Sequence, residues 1–155
     1  MNQLLIVSHQ PSENTRLLTQ ALVEGAHNAQ EEQTQLEVRV LTPLNTKADD
    51  LRHADALILL TTENFGYMSG AMKDMFDRCY YDIIDDSRGK PYCLIVRAGK
   101  DGTGTIRACE SIIGGLGWKK AQDVTLFRGA FQEAFINESR TLAEGFATGL
   151  VTGIF

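Results

Sequence analysis

From one end of the chain to the other, short apolar runs alternate with stretches of helical periodicity, and few architectures accommodate that pattern. Leu4 to Val7 is a compact apolar run ending at Ser8. Between Asn14 and Glu32 the apolar residues Leu18, Ala21, Leu22 and Ala26 recur at spacings of three and four, predicting an amphipathic helix. Leu36, Val38 and Val40 alternate with polar neighbours, as a half-exposed edge strand does. A short polar helix is expected over Lys47 to His53. Ala56 to Leu60 is continuously apolar, the mark of a central parallel strand covered on both faces. The next helix carries Met68, Met72, Met75, Phe76 and Cys79 along one stripe. Cys93 to Val96 reads as a fourth strand, Ile106 to Leu116 as a fourth helix, and Val124 to Phe127 as a fifth strand. A last helix is expected to begin near Asn137 or Ser139, either of which can cap it, with Leu142, Phe146 and Leu150 on its core face. The expectation is an α/β fold: a doubly wound, five-stranded parallel sheet with helices on both faces. No linker, repeat or low-complexity tract divides it, so residues 1–155 read as a single domain.

Charge and cysteine content narrow the function classes. The formal net charge of −5 supplies no clustered basic surface, which argues against nucleic acid as a partner. Cys79, Cys93 and Cys109 lie in apolar stretches with no CxxC spacing and read as buried small hydrophobes. Reduced thiols fit a cytoplasmic setting. The amino terminus reads as a strand rather than a signal peptide. No apolar run approaches the roughly 20 residues of a membrane span, so no membrane partner is expected.

In an open parallel sheet, ligands bind beyond the carboxyl ends of the strands, where the strand order reverses. Three loops at that edge are unusual. After strand one, SHQPSENTRLL supplies Ser8, Ser12, Asn14 and Thr15 just where a helix starts. A helix amino terminus offers unpaired N–H groups and the positive end of the helix dipole, so a phosphate is stabilised there. A plain helix cap at Ser12 or Asn14 accounts for that loop equally well. The loop lacks both GxxxxGK[ST] and GxGxxG, which excludes a nucleoside-triphosphatase loop and weakens a dinucleotide fold. After strand three, Thr62, Glu63, Asn64, Phe65 and Gly66 precede Tyr67, and Phe65 or Tyr67 can stack on a flat ring or pack beneath the loop. Lys73 and Asp77 are spaced as a surface ion pair. After strand four, Ala98, Gly99, Asp101, Gly102 and Gly104 form a glycine-rich loop that presents backbone amides. Donors, aromatics and glycines in three convergent loops suit a ligand with a phosphate, a polar chain and a planar ring.

These loops resemble those of the flavodoxin superfamily, in its branch of NAD(P)H-dependent flavin mononucleotide (FMN) reductases. The first is similar to an S-x-x-x-x-(G/E)-N-T-x-x-L phosphate loop through Ser8, Asn14, Thr15 and Leu18. The second resembles T-P-x-Y-x-G-x-x-S-G-x-x-K-x-x-x-D-R, matching at Thr61, Gly66, Ser69, Gly70, Lys73, Asp77 and Arg78. Thr62 stands at that pattern's proline and Asn64 at its tyrosine, with aromatic Phe65 one residue later. The third is similar to the Ala/Ser-Gly loop beside the flavin pyrimidine. The resemblance implies a flavodoxin-like sheet of strand order 2-1-3-4-5, with FMN as cofactor and NADH or NADPH as electron donor. It also implies a small acceptor such as a quinone or free flavin. With FMN supplying the redox chemistry, no catalytic side chain is expected. No metal site is expected either: His9, His27 and His53 lack ligand spacing. Asp49 and Asp50 follow strand two, whereas an acidic metal site here needs carboxylates after strands one and three. Glu63 is a carboxylate that disfavours an anionic reduced flavin if it points inward. The alternative class is a flavodoxin-type electron carrier, but such carriers are steered by much stronger acidity than −5. A homodimer is a candidate to supply the second wall over the ring.

Overall fold

The computed structural model describes residues 1–29 and 35–155. Its strands are β1 (Asn2–Ser8), β2 (Leu36–Leu41), β3 (Ala56–Asn64), β4 (Tyr67–Met68), β5 (Pro91–Ala98), β6 (Lys119–Lys120) and β7 (Thr125–Arg128). The helices are α1 (Glu13–Asn28), α2 (Ala48–His53), α3 (Gly70–Ile83), α4 (Thr103–Leu116) and α5 (Glu133–Val151). The sheet runs β2-β1-β3-β5, and both β6 and β7 pair with β5. β6 lies along Pro91 and Tyr92, whereas β7 lies along Ile95 to Ala98. The fifth lane is therefore one edge strand in two pieces, and the expected order holds. Every pairing is parallel except that of β4, which folds back against the end of β3.

Side chains alternate across each strand, so every central strand feeds two cores. Leu5, Val7, Leu57, Leu59, Leu94 and Val96 face α2, α3 and α4, where Leu51, Met72, Phe76 and Ile113 meet them. Leu4, Ile6, Ile58, Leu60, Cys93 and Ile95 face α1 and α5, against Leu18, Leu22, Ala143 and Phe146. Burial on both faces is why these strands read as unbroken apolar runs. The three thiols are buried and unpaired. Burial pushes the Cys93 thiol well above its usual value and that of Cys109 up to about 12, so neither is nucleophilic at neutral pH.

Two expectations about elements are corrected. Met68 belongs to β4 and not to the helix, although it is buried in the same core as Met72. α5 starts at Glu133, ahead of both Asn137 and Ser139. Phe135, in its first turn, stacks on Phe127 with ring centroids 4.7 Å apart, and that contact pulls the helix start earlier. Ser139 is buried inside the helix and donates its hydroxyl to the Phe135 carbonyl at 2.8 Å, while the Asn137 amide oxygen accepts from Arg140. The expected helix after strand one is α1, Glu13–Asn28, with Ala29 as its C-cap. The predicted extension to Glu32 falls outside the described residues.

Candidate functional site

β1 and β3 are neighbours, yet β1 leads into α1 on one face and β3 leads into α3 on the other. A crevice must open between them at their carboxyl ends. The three predicted loops all reach this edge.

On the first loop, Ser12 is the N-cap of α1 and accepts from the Thr15 N–H at 3.2 Å, while its own N–H donates to the Thr15 hydroxyl at 3.1 Å. This reciprocal cap satisfies Thr15 and leaves the N–H groups of Glu13 and Asn14 without partners among the described residues. Asn14 is exposed, and Thr15 is buried. Ser8 lies below the edge, fully buried, with its hydroxyl paired to that of Thr19 at 2.7 Å. His9 is half-buried; burial holds its imidazole below its usual value of 6.5.

The second loop is a hairpin that the sequence pattern did not reveal. β3 runs on to Asn64, and β4 pairs back with Glu63 opposite Met68 and Asn64 opposite Tyr67. Phe65 and Gly66 form the turn with φ of +54° and +73°, as a type I′ turn requires. Such turns favour Asn-Gly, and an aromatic residue in the left-handed region is uncommon. The Phe65 side chain is nevertheless fully exposed, so no packing contact explains it. Thr62 donates its hydroxyl to Asn64 Oδ1 at 2.9 Å, and Thr61 Oγ1 accepts from the Ser69 N–H at the start of α3.

The third loop sits against that hairpin. A Cβ built at Gly104 would fall 2.5 Å from the Gly66 carbonyl oxygen, so only glycine lets the two loops touch there. The Glu63 carboxylate, the group whose direction mattered for flavin charge, accepts a hydrogen bond from the N–H of Gly102. Gly102 is the N-cap of α4 and has no side chain to cap with, so the N–H groups of Thr103 to Thr105 have no partner among the described residues. Thr105 adds a buried hydroxyl with no hydrogen-bond partner among the described residues, a donor not expected from the sequence because one threonine in a helix carries no pattern. Asp101 is exposed, accepts from the Thr103 hydroxyl, and is tied to β7 through Arg128, whose Nε donates to the Asp101 carbonyl at 2.9 Å. Ala98 is buried, whereas Gly99 is exposed with open space beside it. Arg97, just before the loop, donates to the Ala98 and Phe127 carbonyls and lies over the rings of Phe131 and Phe135.

The edge thus presents two helix amino termini with unsatisfied N–H groups, separated by a hairpin bearing an exposed aromatic ring. A family model described as NADPH-dependent FMN reductase matches residues 2–127. The chain belongs to that family. A flavodoxin of Aquifex aeolicus (strain VF5) is 28% identical over 113 residues, covering 73% of this chain. The match spans 59% of that protein's length. A flavodoxin from the domain Archaea superposes with a TM-score of 0.79 at 17% identity, covering 96% of this chain and 98% of that one. A flavodoxin described as WrbA-like, from Agrobacterium tumefaciens, gives 0.70 at 13% identity, covering 94% of each chain. At these identities the structural likenesses establish the fold. None of the described helices is long and apolar enough to cross a membrane, and the described residues hold no cluster suited to a metal ion.

Proposed function

We propose that the chain is an FMN-dependent NAD(P)H oxidoreductase that passes electrons to a quinone, a flavin or another small acceptor, with residues 1–155 acting as one cytoplasmic domain. The observation that carries this reading is the pairing of two open helix amino termini with the strained, exposed Phe65 at the strand-order reversal. The residues present fit FMN. Its phosphate suits the start of α1, where Ser12, Asn14 and Thr15 surround the free N–H groups of Glu13 and Asn14 and buried Ser8 braces the strand beneath. Its ring suits the space beside the Thr62–Gly66 hairpin and the Ala98–Gly104 loop, where the orphaned Thr105 hydroxyl and the first-turn N–H groups of α4 await acceptors. When bound, FMN supplies the redox chemistry.

The protein's part is placement and electrostatics. Glu63, held on the Gly102 N–H, fixes the hairpin against α4 and occupies one of the donors at that end. Phe65 and Tyr67, both exposed, line the face where a nicotinamide and then an acceptor stack in turn. A second copy of the chain set against Phe65 supplies the outer wall.

The Aquifex relative favours a second reading, a one-electron carrier served by a separate reductase. Anaerobic mixing of the FMN-loaded protein with NADH and with NADPH, followed by flavin absorbance, separates the two. Bleaching within seconds by either nucleotide supports the oxidoreductase. Flavin that stays oxidised with both, yet is reduced by a reductase protein, establishes the carrier.

A further inference from the structure

α3 and α4 lie side by side on one face of the sheet, and the seam between them is an open groove. It has two lobes, with volumes of about 320 and 430 Å³. Lys73, Ser111 and Ile112 line both lobes, so the groove is continuous. Its near end is walled by Tyr67 and Gly104, the residues that flank the ring space. Its far end is walled by Phe76, Tyr80 and Tyr81, and the Tyr81 ring is exposed. Between the ends, Lys73 on α3 and Arg107 on α4 line the same lobe. Lys73 pairs at 2.7 Å with Asp77, the acidic residue lining the groove. Arg107 is exposed and makes no hydrogen bond or ion pair among the described residues.

Lys73 is already neutralised by Asp77, so the free cation of the groove among the described residues is Arg107, and on a chain of net charge −5 an exposed arginine without a carboxylate partner attracts an anion. Arginine in particular matches phosphate oxygens with its planar fork of donors. Aromatic faces at the far end suit a purine, and the near end opens where a nicotinamide must stack. Along α4, Gly104 to Ile112 spans about 12 Å at 1.5 Å per residue, a length suited to an extended dinucleotide.

Resting on the oxidoreductase reading above, we propose that the α3–α4 groove binds the adenosine-phosphate half of the nicotinamide dinucleotide. Arg107 and Lys73 hold its phosphates, Tyr80 and Tyr81 flank its adenine, and the nicotinamide reaches the ring past Tyr67. The groove would then set donor affinity independently of flavin affinity.

The probe is NADP⁺, which binds without turnover, titrated calorimetrically into the FMN-loaded protein. Arg107→Glu is expected to weaken NADP⁺ binding roughly ten- to hundredfold, the scale of losing a charge-assisted hydrogen bond. Arg107→Lys, which keeps the charge but loses the planar fork, should weaken binding less than Arg107→Glu does. Ser111→Trp, which fills the groove from an exposed position, should weaken binding as strongly as Arg107→Glu. FMN affinity and melting temperature should stay unchanged in all three. Wild-type affinity for NADP⁺ in both Arg107→Glu and Ser111→Trp overturns the groove while leaving the oxidoreductase reading intact. Failure of the wild-type protein to bind NADP⁺ or NAD⁺, with no bleaching by NADPH or NADH, overturns both. A wild-type dimer in sedimentation that Ser111→Trp converts to monomer also overturns the proposal, because a second copy then occupies the groove.

Discussion

Phe65 shows how far single residues were legible. Its aromatic character at a ligand-facing loop could be read from sequence, but its left-handed backbone could not, because Phe-Gly is not a recognised type I′ pair. That conformation costs a side-chain-bearing residue roughly 1–2 kcal/mol, and asparagine tolerates it far better. Phe65→Asn is therefore expected to stabilise the flavin-free protein by about 1 kcal/mol in denaturant titration, while weakening FMN binding. Gains in both, or losses in both, contradict the assignment of Phe65 to the ring. His9 carries a pH signature. Burial holds its folded pKa below 6.5, so the unfolded chain takes up the proton first as pH falls. Its contribution is complete above about pH 6.5 and is lost as pH drops through that value toward the folded pKa. The stability difference between wild type and His9→Gln should be constant above pH 7 and move against the wild type toward pH 5. A difference that does not change with pH removes the burial argument. Thr105 and Arg107 were invisible beforehand, since neither an orphaned hydroxyl nor an unpaired cation can be inferred until its neighbours are placed.

Whole elements were more legible where burial is two-sided. Ala56 to Leu60 and Cys93 to Val96 are strands because helices cover both their faces, and no other element tolerates so short an unbroken apolar run between turns. The two-residue strands β4 and β6 left no periodic trace. α5 was misplaced at its start because Asn137 and Ser139 look like caps, whereas the stacking of Phe135 on Phe127 is a long-range contact. α2 ends on a similar long-range device: Lys90 donates its ammonium to the carbonyls of Leu51, Arg52 and Ala54 at the helix carboxyl end, and burial lowers its pKa. The α1–α5 contact supplies a sharper test. A Cβ at Gly25 would fall 2.0 Å from the Arg140 carbonyl oxygen. Replacing glycine by alanine inside a helix normally gains up to about 1 kcal/mol. Here Gly25→Ala should instead cost about 2 kcal/mol or more through overpacking of backbone against backbone. A rise in melting temperature would show that the two helices are not in such close contact.

At the scale of the molecule, topology does the positioning. Placing β1 beside β3 while sending their helices to opposite faces opens the crevice, and extending β3 past the sheet edge into a hairpin walls it. The count of strands and the helices on both faces were legible because a parallel sheet needs crossover helices and the apolar pattern counted them, whereas the strand order came only from the resemblance of the loops. The docking of the hairpin on α4, through Glu63 and the Gly66–Gly104 contact, was not legible, since it joins loops that are distant in sequence. On the proposed reading, one donor-rich loop at the start of α1, with no GxGxxG loop for a second nucleotide half, makes FMN the expected flavin in preference to the larger dinucleotide. Titration of flavin-free protein into FMN, read by quenching of flavin fluorescence and repeated with riboflavin, tests that account most directly. One FMN should bind per chain, riboflavin should bind far more weakly because it lacks the phosphate, and Asn14→Ala should reduce affinity for FMN alone. Equal affinity for FMN and riboflavin, or no saturable quenching by either, would contradict the placement of FMN at this edge.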